Sequence, residues 1–237
     1  MGHDRPGLLL DVDGTLVDSN YLHTLAWSRA FQDAGEWAPM NAIHRLVGMG
    51  SDRLVAEVLG HDTPKATEAR AGHYRQLLSE VRTFPGAAAL LRQAHDAGLA
   101  VVLATSAPAD ELDAVRHVLD ADDAIDAVTT SDDVEASKPA PDTFCAALRA
   151  GCVDSARALV IGDSVWDIQA ARAAGLGCVA VESGGFSQHE LSEAGAVHVY
   201  RDVDEIVQQL HTGPLATLIH QAGDRAAAGG HSPSSPA

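Results

Sequence analysis

The feature that most constrains the fold is a series of short apolar runs, each bounded by turn residues. The runs cover residues 7–10, 99–104, 158–161 and 178–181. Such runs are typical of β-strands buried on both faces. Segments with apolar residues at helical spacing lie among them, at 87–97, 109–119, 142–150 and 167–174. This alternation predicts an α/β fold, a doubly wound parallel sheet covered by helices on both sides, with a weaker strand at 196–200.

One long stretch departs from that alternation. Residues 18–84 have helical periodicity but no buried-strand run, which predicts a small helical domain inserted after the first strand. The sequence TFPGA at 83–87 is a plausible return hinge. We therefore expect a catalytic core formed by residues 1–17 and 85–212 and a cap formed by 18–84. We expect residues 213–237 to be a largely disordered tail, because the chain ends in a Gly/Ser/Pro-rich segment without periodicity.

Four polar features share one type of position, the carboxyl end of a predicted parallel strand. They are Asp11 with Asp13, Thr105 with Ser106, Lys138, and Asp163 with Asp167. Ligands bind at this edge in open α/β sheets, so folding should bring these side chains into one pocket. Lys138 is notable because the chain has only two lysines against fourteen arginines, which suggests that an ammonium group is needed there.

The chemistry of this set points to phosphoryl transfer. Several carboxylates in one cleft repel each other unless a cation balances them, and oxygen ligands suit Mg²⁺ better than zinc. A carboxylate beside a metal can attack a phosphoryl group, and a second carboxyl two residues later can protonate the leaving oxygen and then activate water. A threonine hydroxyl and a lysine ammonium would bind the phosphoryl oxygens. Each aspartate pair also has a simpler interpretation as a turn or helix cap.

The motifs and their order resemble the haloacid dehalogenase superfamily of phosphohydrolases, in the branch with a helical cap. The matching segments are DVDGTLVDS, LATS, SKPAPDTF and GDSVWDI, and the resemblance covers residues 7–210. It implies that Asp11 is the nucleophile and a Mg²⁺ ligand, and that Asp13 is the general acid/base and lends its carbonyl to the metal. It implies that Thr105 and Lys138 hold the phosphoryl group and that Asp163 binds the metal. Asp167 would act through a metal-bound water or by orienting Lys138.

The cap sequence resembles the β-phosphoglucomutase-like and sugar-phosphatase group. A histidine at the place of His23 faces the site in that group, although a lone histidine on an apolar helix is more often simply packed. The segment HRLVGMGSDRL resembles the substrate-specificity loop, so Arg45, Gly48 and Arg53 are candidate substrate contacts, together with Ser106. Pro108 after the second motif and Gly162 in the fourth depart from the mutase pattern and favour a hydrolase.

The composition limits the partners that we expect. A formal net charge of −17 argues against nucleic acid or an anionic membrane surface. No apolar stretch reaches the ~20 residues of a membrane span, and no signal peptide is visible. Three widely spaced cysteines, Cys145, Cys152 and Cys178, predict reduced thiols in a cytoplasmic protein.

The sequence thus predicts a Mg²⁺-dependent phosphatase that hydrolyses a small phosphorylated metabolite through an aspartyl-phosphate. The protein is expected to be a monomer or a homodimer. Two alternatives remain open at this point: a β-phosphoglucomutase-like phosphoryl transferase, and a non-catalytic binding protein on the same scaffold.

Overall fold

The computed structural model describes residues 5–229, except for the side chains of 52, 109, 110 and 224–229. The strands are β1 Arg5–Leu10, β2 Val17–Asp18, β3 Arg82–Thr83, β4 Ala100–Ala104, β5 Ala127–Thr129, β6 Val153–Gly162, β7 Gly177–Val181 and β8 His198–Tyr200. The α-helices are α1 Asn20–Ala34, α2 Met40–Leu46, α3 Ser51–Leu59, α4 Pro64–Arg75, α5 Ala87–Asp96, α6 Ala109–Leu119, α7 Asp142–Ala150, α8 Val165–Ala173, α9 Gln188–Ala194, α10 Val203–Gln208 and α11 Pro214–Gly229.

Six strands form one parallel sheet in the order β5-β4-β1-β6-β7-β8. The chain moves from β1 outward through β4 and β5, and then crosses back to β6 and continues in the opposite direction. The point where the strand order reverses therefore lies between β1 and β6, which pair directly. All five predicted strands are present, and the predicted doubly wound parallel fold is confirmed.

The sheet is buried on both faces because successive side chains of a strand point to opposite sides. In β1, Leu8 and Leu10 belong to the core cluster that includes residues of α5, α6, α10 and α11. Leu9, between them, belongs to the opposite cluster with residues of α7, α8 and α9. The continuous apolar run in the sequence is thus explained by helices on both sides.

Four helices, α1 to α4, lie between β2 and β3, as the helical periodicity predicts. They bury a small core of their own around Trp27, Phe31, Ile43 and Leu54. The chain enters and leaves this helical region, which we call the cap, through the antiparallel pair of β2 and β3. The division into two domains at 17/18 and 84/85 stays a prediction.

The structure corrects the expectation for the C-terminal segment. Residues 214–229 form α11 instead of a disordered tail, while residues 230–237 lie outside the described residues. Leu215, Leu218 and Ala222 are buried against the main sheet, at the three- and four-residue spacing of one helix face. Alanine and glycine around these few large residues hide the amphipathic pattern. Within residues 5–229, no helix has the length and apolar character needed to cross a membrane.

The packing of α11 leads to a stability prediction. Leu218→Ala should lower the free energy of unfolding by about 2–4 kcal/mol, because it removes a buried side chain and leaves a cavity. Thr217→Ala, at an exposed neighbouring position of the same helix, should change it by less than about 0.5 kcal/mol. Urea denaturation of the two variants tests this difference. Equal stabilities would show that α11 does not pack on the sheet.

Candidate active site

The site lies at the carboxyl end of the sheet, where the strand order reverses. Asp11 follows the last residue of β1, and Asp163 follows the last residue of the neighbouring β6. Both carboxylates are buried. Because adjacent parallel strands end side by side, two aspartates far apart in the sequence meet at one point.

The turn after β1 holds Asp163 in position. Gly14 has φ +76°, a left-handed conformation that L side chains rarely adopt. This turn brings the Thr15 hydroxyl within 3.2 Å of Asp163 Oδ1. The Asn20 amide donates to Asp163 Oδ2 at 2.9 Å. On the other side, Gly184 lies so close that an added Cβ atom would overlap Asp163 Oδ2. Asp163 is therefore fixed from both sides.

Lys138 is the cation at the base of the site. Its side chain is only 1% exposed and its Nζ contacts the carboxylates of both Asp11 and Asp167, the latter at 2.7 Å. Burial by itself lowers the pKa of Lys138, but the two carboxylates outweigh this effect and raise it above its ordinary value. The ammonium group is thus kept charged without contact with water.

Asp167 combines two tasks that the sequence left as alternatives. It is the third residue of α8 and completes a capping box with the N-cap residue Ser164. Its Oδ2 accepts from the Ser164 backbone amide at 3.1 Å and from the Ser164 hydroxyl, while its Oδ1 faces Lys138. Asp167 therefore caps the helix and orients the lysine at the same time.

The electrostatics of this cluster favour a bound cation. Burial raises the pKa of Asp11 to about 7; Lys138 opposes this shift, and Asp167 and Asp13 add to it. Burial, reinforced by Asp167 and Asp11, also raises the pKa of Asp163 well above its ordinary value. Carboxylate oxygens of Asp11, Asp163 and Asp167 lie within 4.8 Å of one another. Three carboxylates against one ammonium leave an excess of negative charge, and oxygen ligands at this separation fit a hard divalent cation.

Asp13 points toward the cap and is held there as a carboxylate. It accepts hydrogen bonds from the Ser19 hydroxyl and from His23 Nε2, the latter at 2.9 Å. Burial raises the pKa of Asp13, but His23, Ser19 and Arg70 together lower it to about 2. Arg70 Nη2 lies 2.7 Å from His23 Nδ1. Since a guanidinium group only donates, Nδ1 must accept and the ring proton lies on Nε2, directed at Asp13.

A cavity of about 260 Å³ lies between this cluster and the cap. Asp11, Asp13, His23, Gly48 and Ser106 line it, so the structure brings five of the predicted site residues together around one space. Its other lining residues are Trp27, Val47, Met49, Ser51, Leu54, Arg70, Ala107, Pro108 and Ser131.

The other six predicted site residues lie outside this lining. Lys138, Asp163 and Asp167 form the buried cluster beneath it, and the remaining three lie elsewhere. Thr105 is buried at the end of β4, and its hydroxyl accepts from the Ala107 amide at 3.0 Å. Arg45 is at the end of α2, where its guanidinium stacks on Phe186 and pairs with Glu190. Arg53 is exposed on α3.

Sequence reasoning missed several residues of the site. Thr15, Asn20 and Gly184 surround Asp163, and Arg70 and Glu111 form an ion pair of 2.7 Å between the cap and the core. The first two stand within nine residues of Asp11, so their proximity to the first motif was an available signal. No sequence spacing connects Arg70 with Glu111, which are 41 residues apart on different helices.

The fold and the site together define a class of protein: an α/β protein with buried aspartates and a lysine where the strand order reverses, covered by a helical cap. The family model for haloacid dehalogenase-like hydrolases matches residues 6–175. The chain belongs to this family.

Named relatives agree with this assignment. The chain is 33% identical over 212 residues to a phosphoglycolate phosphatase of Rhodospirillum rubrum, covering 82% of this chain and 86% of that protein. It is 29% identical over 212 residues to the validoxylamine A 7′-phosphate phosphatase of Streptomyces hygroscopicus subsp. limoneus, covering 87% and 97%. It spans only 20% of the length of the chloroplastic protein SUPPRESSOR OF QUENCHING 1 of Arabidopsis thaliana, at 30% identity.

A crystal structure of a hydrolase from Pseudomonas syringae superimposes with a TM-score of 0.82 at 32% identity, covering 87% of this chain and 98% of that one. These comparisons confirm the predicted family. They also confirm the predicted enzyme class, a phosphoric monoester hydrolase of the haloacid dehalogenase type.

The close approach of Gly184 to Asp163 gives a prediction about the cation. Gly184→Ala should weaken Mg²⁺ binding by about 10- to 100-fold, because the new methyl group displaces a carboxylate of the cluster. Gly72→Ala is the matched control, since nothing lies within 4 Å of a Cβ atom there. Calorimetric titration with Mg²⁺ measures both affinities. Unchanged affinity in Gly184→Ala would contradict a role of Asp163 in cation binding.

Proposed function

We propose that the protein is a Mg²⁺-dependent phosphatase that hydrolyses a small phosphomonoester through an aspartyl-phosphate formed on Asp11. The observation that carries the proposal is the placement of Asp11. Its carboxylate is held by Lys138 from below, retains 9% exposure, and lines the cavity under the cap. A carboxylate so placed can reach a phosphoryl group that enters the cavity.

The metal would be held by the carboxylates of Asp11 and Asp163 and by the backbone carbonyl of Asp13. When bound, Mg²⁺ supplies positive charge that polarises the phosphoryl oxygens and neutralises the cluster. Asp167 is better suited to orient Lys138 than to bind the metal, because both of its oxygens already face protein donors.

In the first step the Asp11 carboxylate attacks phosphorus while the bond to the leaving oxygen breaks. Lys138 donates to Asp11 and lies in ion-pair contact with Asp167, and its ammonium group has three hydrogens, so one would be available for a phosphoryl oxygen. The Thr105 hydroxyl accepts from Ala107, so its own hydrogen is free to donate in the same way. Both groups would stabilise the charge that develops on the phosphoryl group.

Asp13 is proposed to move protons in both steps. The negative charge of a substrate phosphoryl group beside it raises its pKa, which favours the protonated form that can protonate the leaving oxygen. After the alcohol has left, the carboxylate accepts a proton from the water that attacks the aspartyl-phosphate. His23 and Ser19 hold the carboxylate form for this second step.

The cap would shield the intermediate from bulk water while it is closed. His23, Gly48 and Ser106 line the cavity and are the proposed substrate contacts among the predicted residues. Arg45 and Arg53 have no such support, because neither lines the cavity.

The nucleophile is tested by Asp11→Asn. Turnover of p-nitrophenyl phosphate should fall by at least about 1,000-fold, because an amide cannot form the acyl phosphate. Asp18→Asn, an exposed position in β2, should leave turnover unchanged. Activity retained in Asp11→Asn would contradict the assignment. In the wild type, β-glucose 1-phosphate should yield inorganic phosphate; glucose 6-phosphate as the product would identify a mutase.

Removal of the metal gives an independent test. Treatment with EDTA should abolish phosphate release, and added Mg²⁺ should restore it, because the buried carboxylates otherwise repel the phosphoryl group. Asp163→Asn should raise the Mg²⁺ concentration needed for half of the maximal rate, by about tenfold or more. Full activity in excess EDTA would rule out the metal-dependent mechanism.

A further inference from the structure

We propose that the cavity selects phosphomonoesters whose leaving group is uncharged and carries hydroxyl groups, and that the buried Arg70–Glu111 ion pair imposes this selection. The inference rests on the proposed phosphatase function and concerns the part of the substrate that leaves. A second anionic group, such as a carboxylate or another phosphate, would be disfavoured.

Arg70 is the only arginine or lysine among the described residues that line the cavity. A substrate with a second negative charge would have to find its cationic partner there, because Lys138 lies below Asp11 and is shared with Asp167. Arg45, which belongs to the predicted specificity segment, does not line the cavity and is paired with Glu190.

The guanidinium group of Arg70 is already committed to protein partners. Nη1 donates to Glu111 Oε1 at 2.7 Å, and Nη2 donates to His23 Nδ1 at 2.7 Å. The group also lies over the ring of Tyr74, at 4.9 Å from its centroid. Nε has no hydrogen-bond partner among the described residues, but it is buried. A carboxylate in the cavity would therefore approach the terminal nitrogens and compete there with Glu111 and His23, and His23 is the residue that positions Asp13.

Glu111 cancels the charge of Arg70 at close range. The two side chains are 3% and 12% exposed, so water screens their interaction little. Glu111 Oε2 is buried and has no hydrogen-bond partner among the described residues. Glu111 itself does not line the cavity. A second substrate anion at this end of the cavity would therefore find an arginine whose charge is already balanced by Glu111, and it would lose its own hydration without a cationic partner.

The remaining polar lining fits neutral hydroxyl groups. Ser51, Ser106 and Ser131 offer hydroxyls that can both donate to and accept from an alcohol. Trp27, Met49 and other apolar side chains line the rest. With a volume of about 260 Å³, below the ~300–1,000 Å³ of sites for drug-sized ligands, the cavity suits a short polyol or sugar monophosphate.

The test uses two matched pairs of compounds that differ only in charge at the far end. They are 2-hydroxyethyl phosphate against phosphoglycolate, and erythritol 4-phosphate against 4-phosphoerythronate. Each is measured as a competitor of p-nitrophenyl phosphate turnover in the wild-type enzyme with Mg²⁺, so that a compound is scored by its inhibition constant whether or not it is hydrolysed. The neutral member should bind at least about tenfold more tightly in each pair.

Glu111→Gln keeps the size of the side chain but removes its charge, which frees the positive charge of Arg70. The ratio of the two inhibition constants within each pair should change by about tenfold in favour of the carboxylate compound. Glu190→Gln is the matched control, since it removes the carboxylate of another ion pair between cap and core, Arg45–Glu190, and a glutamine preserves the capping box of α9. It should leave both ratios unchanged. A merely structural effect of Glu111→Gln would weaken both members equally.

The outcomes separate the two proposals. If p-nitrophenyl phosphate is hydrolysed but the carboxylate members bind more tightly, or the neutral members do not compete, the proposed selection is overturned. The proposed phosphatase function is unaffected by either result. An unchanged ratio in Glu111→Gln removes the ion pair as its cause. Absence of any p-nitrophenyl phosphate turnover in the wild type overturns the phosphatase function, and the selection falls with it.

Discussion

The arrangement of the site depends on one buried ammonium group placed between two carboxylates. Lys138 contacts Asp11 and Asp167 while almost no water reaches it. Removing one partner of such a buried group typically costs 3–5 kcal/mol, so each member fixes the others. The same contacts keep Asp11 facing the cavity and Asp167 on its helix. A cluster that repels itself is thereby held ready for a cation.

The sheet supplies the geometry that makes this cluster possible. Because β1 and β6 are neighbours at the reversal of the strand order, their ends leave a crevice into which Asp11 and Asp163 both point. Two glycines complete the site. Gly14 turns the chain after β1, and the backbone at Gly184 lies so close to Asp163 that no side chain would fit there. The position of the chemistry is therefore a property of the topology, and its precision comes from the loops.

The sequence was informative where local pattern decides structure. The apolar runs predicted the strands, and the aspartates after them marked the edge that binds ligands. Sequence reasoning missed β5, which has only three residues. It also missed α11, in which the few large apolar side chains stand among alanines. The contacts of Arg70 and Arg45 could not be predicted, because each depends on how the cap is seated on the core. Arg45 was a predicted substrate contact and Arg70 was not, yet Arg70 lines the cavity and Arg45 stacks on Phe186.

Arg45–Glu190 and Arg70–Glu111 are ion pairs that join the cap to the core, and they differ in burial and therefore in their contribution to stability. Arg45 and Glu190 are 42% and 40% exposed, and such a pair contributes about 0–1 kcal/mol. Arg70 and Glu111 are nearly buried, so breaking that pair inside the closed structure would leave two charges unsatisfied. Opening of the cap avoids this penalty, because both charges then return to water together. The Arg70–Glu111 pair therefore adds little to the free energy that favours the closed cap. Its main effect is on the net charge of the substrate that the closed cavity accepts.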